Sequence, residues 1–139
     1  MADTFQLKVA TPERLFVDEQ VTEAEVPGKE GYLGVLAGHA PLLSMLGAGV
    51  LTYQGSGNSG VLAIDGGFVE IFENQVRVLA DNAEWAREIN TDQARRELDE
   101  ANEALKNAHE AQDSDAALRS LQKAQARLDA AERSSGRSQ

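Results

Sequence analysis

Residues 76–105 read Val76-Arg77-Val78-Leu79-Ala80-Asp81-Asn82-Ala83-Glu84-Trp85-Ala86-Arg87-Glu88-Ile89-Asn90-Thr91-Asp92-Gln93-Ala94-Arg95-Arg96-Glu97-Leu98-Asp99-Glu100-Ala101-Asn102-Glu103-Ala104-Leu105. The hydrophobic period changes inside this stretch. Val76 and Val78 alternate with Arg77, which is the period of a strand with one buried face. From Ala94 the apolar positions fall at Leu98, Ala101, Leu105 and Ala108, which is one face of a helix. The same spacing returns at Ala117, Leu121, Ala124, Leu128 and Ala131. Gln112-Asp113-Ser114-Asp115 lies between the two stripes as a polar break. Two antiparallel helices in a hairpin are therefore expected, the first over Thr91 to Glu110. Asn90 is a candidate N-cap with Gln93 placed for a capping box, and Ile89 with Ala94 for a hydrophobic staple.

Residues 4 to about 85 read as strands, several of them with a period of two. Phe5, Leu7 and Val9 alternate with Gln6 and Lys8, and Thr22, Ala24 and Val26 with Glu23 and Glu25. Turn residues separate the segments at Thr11-Pro12-Glu13, Pro27-Gly28-Lys29, Gly47-Ala48-Gly49, Gly55 to Gly60, Gly66-Gly67 and Glu73-Asn74-Gln75. Eleven of the twelve glycines lie in residues 28–67. Many short strands so spaced predict an N-terminal all-β sandwich, a flattened antiparallel barrel. The expected division is residues 1–86 as the sandwich, 87–134 as the helical hairpin and 135–139 as a disordered tail. Three of the five positions in each helical stripe are alanine. Small side chains bury little area, at ~25 cal/mol per Å², so the hairpin should leave its partner surface more readily than the sandwich unfolds.

Composition narrows the function. Thirteen Lys and Arg against 23 Asp and Glu give a formal charge of -10, which repels phosphate backbones and argues against nucleic acid. There is no cysteine, and the two histidines, His39 and His109, stand far apart without companions at ligand spacing, so no metal site is expected. No apolar run approaches the ~20 residues that span a bilayer. The start, Met1-Ala2-Asp3-Thr4, has neither basic segment nor apolar core, which predicts a chain made and kept in the cytoplasm unless a partner holds it at a membrane. No glycine loop is followed by Lys and Ser or Thr as a phosphate site requires. Ser44 and His39 are near in sequence, but no nucleophile elbow surrounds Ser44. Arg119, Lys123 and Arg127 form a basic ridge, four residues apart. On the residues alone, a sandwich adaptor with a helical docking arm is as good a reading as any more particular one.

One string goes further. Gly31-Tyr32-Leu33-Gly34-Val35-Leu36-Ala37-Gly38-His39-Ala40-Pro41-Leu42-Leu43-Ser44-Met45-Leu46-Gly47-Ala48-Gly49 closely resembles the signature of the epsilon subunits of F-type ATP synthases. A second match runs Gly66-Gly67-Phe68-Val69-Glu70-Ile71 through Asn74, Val76 and Val78-Leu79-Ala80 to Ala83-Glu84. The resemblance implies a non-catalytic rotor subunit without cofactor, which couples the c-subunit ring to gamma and inhibits ATP hydrolysis through its hairpin. It implies a peripheral place on the cytoplasmic face of a bacterial plasma membrane, without insertion. Lys29, Glu30, Gly31 and Tyr32 match the part that touches the c-ring loops. His39, Ala40, Pro41 and Leu42 match the part that faces gamma. The ridge Arg119, Lys123 and Arg127 would face the beta subunit, within the alpha and beta head, when the hairpin extends.

Some members bind ATP where the first helix begins, through Ile-Asp-x-x-Arg-Ala. Here that element reads Ile89-Asn90-Thr91-Asp92-Gln93-Ala94, and Glu100 stands at its next basic position. Asn90 and Gln93 thus mark a degenerate nucleotide site. Loss of two charges that would assist binding and gain of an acid should repel a triphosphate. Calorimetric titration with ATP is expected to show weak or no binding; micromolar affinity would overturn this expectation.

Overall fold

The computed structural model describes residues 3–137, with side chains to residue 134. Eight strands come first: β1 (Phe5–Ala10), β2 (Leu15–Val21), β3 (Glu23–Gly28), β4 (Gly31–Leu36), β5 (Leu42–Met45), β6 (Ala48–Gln54), β7 (Ser59–Phe72) and β8 (Gln75–Trp85). A short 3-10 turn, Ala86–Glu88, leads to helices α1 (Thr91–Lys106) and α2 (Ala111–Arg137).

The strands lie in the order β2-β1-β8-β7-β6-β3-β4, and β5 also pairs with β7. The two long strands β7 and β8 are common to both layers. The first half of β7 pairs with β6, Ala48 opposite Asp65 and Gln54 opposite Ser59. Its second half pairs with β5, Leu42 opposite Ile71 and Met45 opposite Phe68. The result is an open sandwich whose corner lies between those halves. One pairing departs from the antiparallel expectation: β1 runs parallel to β8, Gln6 opposite Gln75 and Leu79 opposite Ala10. The chain reaches β8 by way of every other strand, so nothing in local turn chemistry forces the antiparallel choice.

Alternation puts Phe5, Leu7 and Val9 inside, with Val17, Val21, Val26, Leu51, Leu62, Ile64, Val69, Ile71, Val76 and Val78 around them. Gly66 and Gly67 make the corner of β7, at φ of 74° and 101°. A Cβ on Gly67 would stand 2.8 Å from the Ala80 Cα and closer still to the Leu79 carbonyl oxygen. This close backbone approach answers to the bend read from the sequence, although the strand continues through it.

Tyr53 ties the layers together at the other side. Its hydroxyl donates to Glu19 Oε2 at 3.3 Å, and Asn58 Nδ2 donates to Glu19 Oε1 at 3.2 Å. Burial, then the charge and hydrogen bond of Glu19, push the Tyr53 phenol up to about 12 against an opposing effect of Arg87.

The hairpin differs from expectation at three points. α1 ends at Lys106, with Asn107 as its C-cap, and the turn is Asn107–Glu110. The carbonyl of Glu110 accepts from the N–H groups of Asp113 and Ser114, so the polar cluster Gln112–Asp115 forms the first turns of α2 instead of the break. Asp113 there complements the positive helix end. α2 then runs to Arg137 through part of the expected tail, because propagating a formed helix adds one hydrogen bond for each residue fixed; Ser138 and Gln139 lie outside the described residues. Finally, Asn90 caps α1 by accepting from the Gln93 N–H at 3.0 Å, but the Gln93 side chain turns to Arg127 rather than closing the capping box. Ile89 packs against the sandwich cluster of Val50, Val61, Ala63, Ala86 and Ala130.

Two measurements check this description. Gly67→Ala should cost about 2–4 kcal/mol of stability in denaturant unfolding, against about 1 kcal/mol for Gly57→Ala. Gly57 also has a positive φ but open space around it, so equal costs would refute the steric argument. Because its native pKa is raised, Tyr53 adds stability that is fully present below the ordinary phenol value of 10.0 and lost as pH climbs through about 12. Ultraviolet titration should show a late phenolate step that disappears in Tyr53→Phe; Tyr53 ionising at the ordinary value would refute it.

Candidate functional site

The sandwich has two outer faces, and they are treated differently. On the β6-β7-β8 side, Val50 lies opposite Ala63, and Ala63 opposite Glu84. This face is covered by α2, which packs on β6, β7 and the 3-10 turn, while α1 packs on α2. α2 therefore has two working faces. Ala117 and Ala124 are buried on the stripe read from the sequence, and Ala126 and Ala130 are buried besides. Ala130 belongs to the cluster on the sandwich.

Arg127 sits in that contact and is 9% exposed. Its Nε donates to Glu84 Oε1 at 2.9 Å and its Nη2 to Glu84 Oε2 at 3.4 Å. Nη1 donates to Glu97 Oε2 at 3.2 Å, and Nη2 to Gln93 Oε1 at 3.5 Å. The basic ridge is therefore split in this posture: Arg119 and Lys123 are exposed, and Arg127 is withdrawn into ion pairs. Spacing alone could not show that, since all three share a helix face and only the carboxylates that β8 and α1 set beside Arg127 distinguish them. A cleft of about 380 Å³ beside Arg127 is lined by Asp65, Glu84, Gln93, Glu97 and Lys123 among others. Asn90 serves as the cap of α1.

The other outer face is bare. Met45 lies opposite Phe68, Phe68 opposite Leu79, Leu79 beside Ala10, and Ala10 opposite Leu15. That row crosses β5, β7, β8, β1 and β2, and Met45, Phe68, Leu79 and Leu15 are exposed, as is Leu43 farther along β5. Contiguous apolar side chains of this kind mark a docking surface. The neighbouring row is charged: Glu70 lies opposite Arg77, and Lys8 opposite Asp18.

The candidates read from the string at Gly31–Gly49 fall at two ends of β5. At one end His39, Ala40 and Pro41 form the approach to the strand, and Gly38 N–H donates to Asn74 Oδ1 at 3.0 Å. Leu42 is half-buried and packs on the main core, so it is the least available of that group; Leu43 and Met45 carry the exposed surface instead. At the other end Lys29 and Glu30 form the exposed β3–β4 turn, and the Lys29 N–H donates to the Met45 carbonyl at 2.8 Å. Gly31 and Tyr32 already belong to β4. The Tyr32 hydroxyl accepts from the Val50 N–H at 3.0 Å, and its ring lines a cleft with Asp129, Glu132 and Arg133 of α2. The sequence did hold a signal for the missed residues: Phe68 and Leu79 stand out of phase with the buried Val69, Ile71, Val78 and Ala80.

His39 and Ser44, the pair nearest to a catalytic reading in the sequence, are not set up as nucleophile and base. His39 Nδ1 is engaged with the Ala40 carbonyl at 2.7 Å, and the Ser44 hydroxyl donates to the Met45 carbonyl at 3.4 Å, so each is tied to adjacent main chain. Among the described residues no group of three or more His, Cys, Asp or Glu could hold a metal ion, and no helix is long and apolar enough to cross a membrane. The arrangement is that of a docking module: a sandwich with one bare apolar face and a helical arm on the other.

Comparison with known proteins gives that class its family. The family model "ATP synthase, Delta/Epsilon chain, beta-sandwich domain" matches residues 4–86. The ATP synthase epsilon chain of Solibacter usitatus is 49% identical over 133 residues, covering 96% of this chain and 99% of the relative. That of Nitratidesulfovibrio vulgaris (strain DP4) is 40% identical over 128 residues, covering 92% and 96%. In fold, the chain resembles a chain of the Euglena gracilis mitochondrial ATP synthase OSCP/F1/c-ring structure, with a TM-score of 0.80 at 23% identity, covering 92% of this chain and 81% of that one. It also resembles a chain of the Tetrahymena thermophila mitochondrial ATP synthase central stalk and c-ring, with a TM-score of 0.70 at 14% identity, covering 94% and 98%. The chain belongs to the ATP synthase epsilon chains, which are non-catalytic subunits of that complex.

Proposed function

We propose that the bare row Leu15, Leu79, Phe68 and Met45, continued by Leu43, is the surface on which this epsilon chain grips gamma within the central stalk. The observation that carries this reading is the row itself, which spans five strands and has no cover from the chain's own hairpin. His39, Ala40 and Pro41 extend it past one end of β5. The Lys29–Glu30 turn projects beyond the other end and is the part offered to the c-ring loops. The subunit would then couple ring rotation to gamma, held peripherally at the cytoplasmic face of the membrane by the complex alone. Arg119 and Lys123 remain the exposed members of a ridge for the beta subunit, and inhibition would require the hairpin to leave the sheet. No ATP is retained at Asn90 and Gln93 in this reading. Asp65, Glu84 and Glu97 outnumber Lys123 and Arg127 in the adjoining cleft, and Arg127 is already committed to carboxylates.

Met45→Glu with Phe68→Glu tests the gamma surface. Both side chains are exposed, so thermal unfolding should be nearly unchanged, while affinity for purified gamma should fall by roughly a hundredfold, the scale of an interface anchor. Unaltered affinity would remove this face from the interface.

A further inference from the structure

The footing of the hairpin is small and chemically mixed. Its apolar part is Val50, Val61, Ala63, Ala86 and Ala130 with Ile89 at the rim, a cluster separate from the main core. Its polar part is Arg127, which joins three elements at once: Glu84 of β8, Glu97 of α1 and its own helix α2. Side chains as short as alanine supply little apolar area, so the ionic junction supplies much of what is specific to the docked posture. The Arg127 side chain keeps 11% exposure and lines the open cleft described above, and its two carboxylate partners are 35% and 41% exposed, so an outside anion or acidic group can reach the junction and compete for the guanidinium.

We propose that Glu84-Arg127-Glu97 is a ligand-independent clasp that holds the hairpin on the sandwich and opens by competition for Arg127. In the closed state the arginine is spent on the chain's own carboxylates. In the open state it joins Arg119 and Lys123 on one helix face, so the ridge is complete only after release. A second, weaker tie, Arg133 Nη1 to Glu25 Oε1 at 3.8 Å, sits nearer the end of α2 and is largely exposed. It does not bridge three elements and carries little.

The clasp does not involve the proposed gamma surface, and because its test reads only the docking of the hairpin it can be carried out on the isolated chain, whether or not the ridge meets the beta subunit. Hydrogen exchange would be followed for α2 amides between Ala117 and Ala131, with amides of β1 and β8 as the reference for the folded sandwich. Most helical stability in a protein comes from tertiary packing, and off the sheet α2 keeps only its alanine-stripe contact with α1, so undocking should register as lost protection. In the wild type, α2 protection should fall on the order of tenfold from low to molar NaCl as the charges are screened, with the strands unaffected. Glu84→Gln with Glu97→Gln leaves a buried guanidinium unpaired, and α2 protection should fall on the order of a hundredfold. Arg127→Met should abolish the salt dependence. If the double variant loses strand protection as well, the wild-type salt series and Arg127→Met decide. Salt-insensitive α2 protection in the wild type, or a salt response preserved in Arg127→Met, would overturn the clasp.

Discussion

A strand that belongs to two sheets has to turn without giving up its partner, and β7 does this at Gly66 and Gly67. The ladder to β8 continues past the corner, with Asp65 opposite Asn82 and Gly67 opposite Ala80. There is no room for a side chain between Gly67 and the β8 backbone, and the φ of 101° suits glycine alone. Everything else in the sandwich is arranged about that corner. β6, β3 and β4 build outward from the first half of β7, and β5 joins its second half, where β8 carries β1 and β2. The two outer faces exist because the strand pair divides there.

Those faces make a physical comparison within one molecule. Each presents apolar side chains outward from a sheet. One is met by Ala126, Ala130 and Arg127 of α2, and its Val50, Val61 and Ala63 are buried. The other keeps Met45, Phe68 and Leu79 in solvent. Burial of the first defines what a cover for such a face looks like: a helix contributing small side chains and a charge that finds its partner at the rim. The second face carries the larger side chains, Met45, Phe68 and Leu79 against Val50, Val61 and Ala63, which suits a partner bringing its own apolar surface.

Much of the fold was legible because alternation and helical periodicity report directly on burial. Phe5, Leu7 and Val9 point inward as their spacing requires, and Ala94, Ala101, Ala117 and Ala124 are buried on the helical stripes. What the pattern concealed has three distinct causes. The helix boundary moved to Asn107 because a polar cluster such as Gln112–Asp115 serves equally well as a break or as a first turn. The parallel partnership of β1 and β8 is invisible locally because it joins distant segments. The split of the basic ridge depends on α2 having a second contact face, and Arg127 differs from Arg119 in what β8 and α1 set before it. The docking row was legible in principle, since Phe68 and Leu79 violate an alternation that their neighbours obey.

The parallel pair has a consequence for how the protein comes into being. Gln6–Ala10 pairs with β2 on one side and finds its partner on the other in Gln75–Leu79, so the β1-β2 hairpin is synthesised long before its second neighbour. At roughly 5–20 residues per second, that wait on the ribosome lasts several seconds. During it, Phe5, Leu7, Val9, Val17 and Val21 form an apolar face without a core to enter. The opposite face is already satisfied, since Thr4 bonds to Gln20, Gln20 to Gln6, and Gln6 to Asp18. Apart from Leu15 at its turn end, the nascent hairpin is thus sticky on one side, and its first hazard is another copy of itself emerging nearby.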